Sequence, residues 1–344
     1  MNVKSIDNNN KNIIQNPENI TFSCNIIEGS FVKYSFDNTF CVFKSINDIF
    51  YIIYSTEDKS IISYNLINKK KINDIKNAHN TYISSFRHYF DNNSKRDLVM
   101  SISAEDNNIK IWNVYDFYCL LNLKNINKTG FLISACFLYD KNQNYIITSN
   151  RNWEENIEPI KVFDFNGNKI KEIADSKEDT IFIDIYYDKK SFTNYIITGH
   201  YSYSQSFKFN ENKMYHKYYA KRPTSNYRCL ITKDNEEIIK LIGINDDSFL
   251  IIWNFHTGDL LSKIIVDDDY LCGLCLFKED YIFVGVYNRT IKLIDLKKGI
   301  VIKNFDGHEH SVICLKKIIH PKYGESLISQ GLSKDQIKLW TYKI

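Results

Sequence analysis

The chain has 344 residues, of which 44% are hydrophobic and 25% charged, and this ordinary globular composition excludes wholesale disorder. Only 12 Gly and 4 Pro are present, which excludes collagen-like and proline-rich polymers. The 44 basic and 41 acidic residues give a net charge of +3, with no long basic block beyond 69–71, so a dedicated nucleic-acid binder is not indicated.

The predicted elements begin with a polar, Asn-rich segment over residues 1–19, which we expect to be a disordered tail. An early strand is predicted within 20–36. A phrase then recurs along the chain: an apolar run, a short polar turn that often carries Asp, and alternating residues that usually end in an aromatic residue followed by Asn or Asp. Seven copies end at residues 64, 112, 163, 207, 253, 294 and 340, a mean spacing of about 46.

Each repeat divides into about four short strands that are separated by Asn, Asp and Gly turns. In the second repeat we predict strands at 82–86, 97–102, 109–114 and 118–123. No helical pattern of convincing length interrupts them. Such four-stranded units bury their faces only against their neighbours, as the blades of a propeller do.

The end of the chain predicts how the ring closes. The last copy stops at residues 340–344, directly after a third strand, so the early strand within 20–36 is expected to complete that blade. Closure of this kind leaves no open sheet edge. We therefore predict an all-β chain in which residues 20–344 form one seven-bladed β-propeller. Each blade has four antiparallel strands, and the N-terminal strand closes the ring.

Several repeats carry Gly-His before the first strand or Trp at the end of the third, as at Gly307-His308 and Trp340. In these features the units resemble WD40 repeats, over roughly residues 22–344. The resemblance implies buried hydrogen-bonded tetrads, with these candidate members: His79, Ser101 (or Ser103), Asp106, Trp112, Asp247, Trp253, His308, Ser329, Asp335 and Trp340. Tyr64, Phe163, Phe207 and Ile294 replace Trp, and Gly243 stands where Ser is expected, so apolar packing must hold those blades.

Candidate metal and catalytic groups have simpler explanations. Cys272 and Cys275 are three positions apart in an apolar strand and point to opposite faces, so the eight Cys are interpreted as reduced thiols. The Gly-His of the repeat explains His308 in the run 308–310, and the acidic run 267–269 fits a solvated turn. No Gly-rich phosphate loop or nucleophile elbow is present. We therefore expect no metal, no cofactor and no enzymatic activity.

Partner recognition is predicted on the face that carries the turns between second and third strands, near blades three to five. Two of these turns are unusual, because the third-blade turn is long and contains Trp153, and the fourth-blade turn is aromatic. Aromatic residues and Arg most often dominate interface energies. The candidate partner-binding residues are Arg151, Trp153, Tyr201, Tyr203, Arg222 and Tyr227, the last two in the blade-to-blade loop that follows. The alternative for Trp153 is that it folds back onto its own blade.

The resemblance implies a noncatalytic scaffold that binds peptides or domains of other proteins on the propeller face, alone or as a subunit of a larger complex. Two alternatives stay open: a small-ligand or catalytic site in the central channel, and RNA or phosphate contact through the basic and aromatic segment 215–222. The chain has no apolar leader segment and no run long enough to span a membrane, so a cytoplasmic or nuclear location is expected.

Overall fold

The alternation of apolar and polar residues gives strands throughout the described part of the chain. A computed structural model describes residues 16–33, 38–128, 130–151, 158–173, 178–220, 226–233, 238–245 and 247–342. Its helical content within these ranges is one 3-10 turn, Pro17–Asn19, which lies in the predicted tail and is capped by the Asn16 side chain. Residues 1–15 of that predicted tail lie outside the described residues.

The strands group into seven blades, numbered along the chain. Blade one contains β2 (Phe40–Lys44), β3 (Phe50–Ser55), β4 (Ile61–Asn65) and β5 (Lys70–Ile75), and blade two contains β6 (Ser85–Asp91), β7 (Arg96–Ser103), β8 (Asn108–Asn113) and β9 (Cys119–Leu123). Blade three contains β10 (Phe131–Asp140), β11 (Gln143–Arg151), β12 (Ile160–Asp164) and β13 (Lys169–Ile173). Blade four contains β14 (Phe182–Asp188), β15 (Thr193–Gly199), β16 (Tyr203–Lys208) and β17 (Lys213–Tyr219).

The remaining blades follow the same order. Blade five contains β18 (Asn226–Lys233), β19 (Ile239–Asn245), β20 (Phe249–Asn254) and β21 (Leu260–Ile265), and blade six contains β22 (Leu271–Lys278), β23 (Tyr281–Val286), β24 (Ile291–Asp295) and β25 (Ile300–Phe305). Blade seven contains β26 (Val312–His320), β27 (Gly324–Gly331), β28 (Ile337–Tyr342) and, from the start of the chain, β1 (Ile20–Ile27). Every blade is a separate four-stranded antiparallel sheet. The predicted seven-bladed propeller is confirmed.

Apolar side chains between neighbouring blades hold the ring together. Leu98 and Ile111 of blade two, for example, pack in one buried cluster with Leu132 and Ile146 of blade three. Clusters of this kind lie between every pair of adjacent blades, including blades seven and one. Each sheet therefore buries its faces against its neighbours, which explains why blades without Trp still fit the ring.

The first strand closes the ring as predicted. β1 pairs antiparallel with β28, with Ile20 opposite Tyr342 and Phe22 opposite Trp340. The rings of Phe22 and Trp340 meet edge to face with their centres 5.3 Å apart. This pairing covers the outer edge of β28 and joins the two ends of the described chain.

Two local features depart from a simple repeat. The inner strand of blade two begins at Ser85 rather than at residue 82, because Asp106 binds the main-chain N–H groups of Asn80 and Thr81 and keeps that stretch in a loop. Blades six and seven approach so closely that a Cβ atom at Gly285 would overlap the carbonyl oxygen of Val312. Only Gly fits at that contact.

Candidate partner-binding surface

The loops of the ring lie on two faces. The connections between blades and the turns between second and third strands share one face, which we call the upper face. Their proximity is shown by Asp335, in the turn after β27, which accepts the N–H groups of Glu309 and His310 from the connection after β25. The turns between first and second strands and between third and fourth strands lie on the opposite, lower face.

Blade seven contains a complete chain of side-chain hydrogen bonds beneath the upper face. The indole Nε1 of Trp340 donates to Ser329 Oγ at 2.7 Å, and Ser329 Oγ lies 2.6 Å from His308 Nε2. His308 Nδ1 is 2.8 Å from Asp335 Oδ2. Because indole only donates and a carboxylate only accepts, the proton of Ser329 goes to Nε2 and His308 carries its hydrogen on Nδ1.

Burial sets the protonation states in this chain. It lowers the pKa of His308 despite the bond to Asp335, so the imidazole is neutral near pH 7. Burial alone would raise the pKa of Asp335, but the hydrogen bond from His308, with the nearby charge of Lys338, outweighs it and lowers that pKa to about 2. The network is therefore a neutral His bound to an ionised Asp, an arrangement that orients loops.

Blade two contains only part of this network. Ser101, not Ser103, joins the tetrad: its Oγ accepts from Trp112 Nε1 at 2.8 Å and lies 2.7 Å from His79 Nε2. Asp106 binds Ser103 Oγ and the N–H groups of residues 80 and 81 instead of the ring of His79. His79 Nδ1 has no hydrogen-bond partner among the described residues. Burial lowers the pKa of His79 to about 3.

In blade five, the structure does not bring the two candidate residues together. Trp253 is fully buried and donates to the main-chain oxygen of Tyr219 at 3.0 Å, whereas the side chain of Asp247 is exposed. A Cβ at Gly243 would lie 3.0 Å from the Trp253 ring, so the indole occupies the space that a Ser would need. Asp247 is thus a surface residue rather than a member of a buried network.

Blade four has a buried His network that the sequence analysis missed. His200 comes from the turn between β15 and β16, and its Nδ1 donates to the main-chain oxygen of Asp179 at 3.0 Å. Its Nε2 accepts from Thr198 Oγ1 at 2.7 Å. Burial lowers the pKa of His200 to about 4. The sequence signal was present, since His200 begins the aromatic turn, but its chain position differs from that of the other tetrad His residues.

Two of the predicted partner-binding residues meet on the upper face across the boundary of blades three and four. The guanidinium carbon of Arg151, at the end of β11, lies 5.6 Å from the centre of the Tyr201 ring. Both side chains are partly exposed. Burial raises the pKa of the Tyr201 phenol, so it stays protonated at neutral pH. The adjacent Ser202 N–H binds the carboxylate of Glu178, which fixes the turn.

The other predicted residues are placed differently. Tyr203 is buried in β16, where its ring packs against His200 and Tyr219 and is covered by the Lys217 ammonium, so it supports the turn from beneath. Tyr227 belongs to the inner strand β18 rather than to the preceding loop. Trp153 and Arg222 lie outside the described residues, so both predictions for Trp153, partner binding and folding back onto its own blade, stay predictions.

The segment proposed for RNA or phosphate contact is largely part of a blade. Its residues 215–219 belong to β17, and Tyr218 is fully buried with its hydroxyl donating to the main-chain oxygen of Phe255. Tyr215 packs against Tyr195 with ring centres 4.9 Å apart. These two aromatic rings are therefore engaged in the propeller core. Residues 221 and 222 lie outside the described residues.

Within the described ranges, no group of three or more His, Cys, Asp or Glu side chains could hold a metal ion. Cys272 and Cys275 lie on opposite faces of β22, and burial raises their pKa values to about 11 and about 12, so both are protonated thiols.

Arg87, on the inner strand of blade two, donates to the main-chain oxygen of Ile183 and pairs with the carboxylate of Asp184 at 3.6 Å. These contacts link blades two and four.

No protein-family model matches this sequence, and no curated protein matches it either. Among the described residues, no helix is both long and apolar enough to cross a membrane.

Proposed function

We propose that this propeller is a noncatalytic scaffold of the WD40 type that binds another protein through its upper face. The complete Trp-Ser-His-Asp chain of blade seven supports the WD40 assignment, because four side chains of the expected types meet in the expected order. Propellers with such rigid loop faces often serve as interaction platforms. The chain would act in the cytoplasm or nucleus, alone or within a larger complex.

The observation that carries the binding site is the contact of Arg151 with Tyr201 at the boundary of blades three and four. The two side chains combine a cation, an aromatic face and a hydroxyl, and both remain partly exposed. Such residues contribute most when a partner covers them, since they bury a large area and keep a polar group. Because Arg151 lies at a strand end and Tyr201 in a fixed turn, little conformational entropy is lost when a partner binds them.

The absence of catalysis is part of this proposal. Burial holds His79, His200 and His308 neutral, and each is bonded to a Ser or Thr hydroxyl. Such groups orient loops. A catalytic base would need to reach a substrate with a pKa near the working pH.

The test is a double substitution, Arg151→Ala with Tyr201→Ala, in the full chain expressed in its native cell. Copurifying proteins are quantified against the parent and against a matched control, Tyr270→Ala with Tyr287→Ala. These two tyrosines form another exposed aromatic pair, with ring centres 6.2 Å apart, in the upper-face loops of blade six. We expect the first variant alone to lose a partner, with a loss of affinity of about 2 kcal/mol or more. Unchanged partners from the folded Arg151/Tyr201 variant would refute the site.

A further inference from the structure

A groove on the lower face crosses the seam where the two ends of the chain meet. It encloses about 520 Å³ between blades seven and one. Its floor is apolar and buried, formed by Ile26 of β1, Leu339 of β28 and Leu66 of blade one. The exposed Ile67 continues the apolar surface to the rim. A volume of this size suits a few side chains of a ligand rather than a folded domain.

The rim of this seam groove is cationic. Lys69 lies on the blade-one side and Lys322 on the blade-seven side, and both are exposed. Among the described residues that line the groove, none is acidic. The Lys322 ammonium lies 5.0 Å from the centre of the Tyr323 ring, so the cation and the aromatic wall are adjacent. An apolar floor with a basic rim complements an apolar ligand that carries negative charge at its edges.

A hydrogen-bond donor on a largely buried ring also lines the groove. His320 is only 7% exposed, and its Nδ1 accepts the N–H of Lys322 at 3.1 Å. The ring hydrogen is therefore on Nε2, which has no hydrogen-bond partner among the described residues. The His320 ring also packs on Tyr323, with ring centres 4.7 Å apart. An acceptor such as a carbonyl or carboxylate oxygen of a bound ligand can accept this hydrogen.

Lys69 occupies a strained backbone position. Its φ is 56°, in the left-handed region, at the last of the four residues in the turn between the third and fourth strands. The corresponding turns of blades five and six have Gly258 and Gly299 there, blade four has Asn212, and blade two has Phe117 with a φ of 53°. A Lys in this conformation costs about 1 kcal/mol relative to Gly. Lys69 keeps this conformation and places its charge at the rim of the groove.

We propose that the seam groove binds a short segment of a partner protein in which one or two large apolar side chains are flanked by Asp or Glu. The apolar side chains fill the floor, the carboxylates face Lys69 and Lys322, and an oxygen of the peptide accepts from His320 Nε2. Because β1 supplies part of the floor, the site exists only in the closed ring. It is independent of the Arg151–Tyr201 site on the upper face.

The experiment measures binding of fluorescently labelled synthetic peptides to the full chain. The first probe has Leu and Phe at its centre with Glu on both sides, and the matched probe has Gln in place of each Glu. We expect saturable binding of the Glu probe that weakens with added salt, and weaker binding of the Gln probe. The variant K69E/K322E should weaken binding of the Glu probe by at least about tenfold, equivalent to ~1.4 kcal/mol.

Matched controls separate binding from folding. K141E/K189E reverses two exposed charges on the lower face at blades three and four, and should bind like the parent. Lys69→Gly should keep or raise the melting temperature while it weakens binding, because it removes the rim charge and relieves the backbone. Asn212→Gly makes the same kind of change in blade four and should leave binding unaltered. The Arg151/Tyr201 variant should also bind the probe normally, so failure of one site is distinguishable from failure of the other.

Several results would overturn the proposal. These are no saturable binding of the Glu probe, equal binding of the Glu and Gln probes, or full binding by K69E/K322E. Binding of polyuridine RNA or of phosphatidylserine vesicles without binding of the peptide would also overturn it, since the rim would then serve another class of ligand. Hydrogen exchange in β1 gives a further readout: a bound peptide should slow it, and an unchanged rate at saturation would contradict binding across the seam.

Discussion

Replacing Asp335 by Asn should destabilise the protein by about 2–3 kcal/mol, whereas the same change at Asp106 should cost less than about 1 kcal/mol. The two residues occupy corresponding turns of blades seven and two, and the substitution removes a charge without changing the shape of the side chain. The difference follows from what each carboxylate contacts.

Both oxygens of Asp335 are in use. Oδ2 accepts from His308 Nδ1 and from the N–H groups of residues 309 and 310, while Oδ1 accepts the N–H of Gln336 and lies 3.6 Å from the Lys338 ammonium. An Asn side chain would place its NH2 group against donors on one side or the other. In a side chain that is 1% exposed, no water can relieve that conflict.

The pKa of Asp335 gives the magnitude. His308 and Lys338 lower it from an ordinary 3.8 to about 2, although burial acts in the opposite direction. At ~1.4 kcal/mol for each pKa unit, the ionised form contributes about 2.5 kcal/mol to folding at neutral pH. Because the folded-state pKa is the lower one, this contribution is present above pH ~4 and is lost as the pH falls toward 2.

Asp106 is the matched control. Its hydrogen bonds to other described residues all involve Oδ2, which accepts the N–H groups of Asn80 and Thr81 and the hydroxyl of Ser103. An amide oxygen can accept these bonds, and the NH2 group can point outward because Asp106 is only partly buried. Asp106→Asn therefore keeps the loop contacts, and little stability is lost.

The assay is denaturant unfolding of both variants and the parent, followed by tryptophan fluorescence, with midpoint and slope fitted together. Trp340 and Trp112 lie in the two networks and report on them directly. Equal losses in the two variants, or a fully stable Asp335→Asn protein, would refute the assignment of the blade-seven chain as a structural network.

Three further predictions concern the ring as a whole. Removing residues 1–27 deletes the strand that pairs with β28 and should cause aggregation, whereas removing residues 1–15 should leave the stability nearly unchanged. Equal melting temperatures for the two deletions would contradict closure by β1. Gly285→Ala should destabilise by about 3 kcal/mol or more in denaturant unfolding, because its Cβ would overlap the inner strand of blade seven, and a fully stable variant would show that this contact is not close. Stability should fall from pH ~6.5 toward pH 4, because burial lowers the pKa values of His79 and His200 and protons therefore favour the unfolded state. His200→Gln should flatten the profile of melting temperature against pH over that range. An unchanged slope would contradict the conclusion that His200 is buried in its neutral form.

Much of the architecture follows from local sequence patterns. The seven phrase ends fall within or at the ends of β4, β8, β12, β16, β20, β24 and β28, each the third strand of its blade. The truncated last copy also predicted closure by an N-terminal strand, which β1 provides. Strand alternation and turn residues are local properties, and repetition at a fixed spacing leaves few ways to bury the faces of such sheets.

The sites depended on geometry between distant residues, which no local pattern contains. Asp335 and Asp106 look equivalent in sequence, but only Asp335 contacts the ring of its His. Trp253 uses a main-chain oxygen where a Ser was expected, because the indole itself fills the space beside Gly243. The seam groove is the clearest case, since its floor joins β1 to β28 and blade one, segments that become neighbours only when the ring closes. Repetition therefore determined the fold, and side-chain packing across blade boundaries decided which surfaces are available for binding.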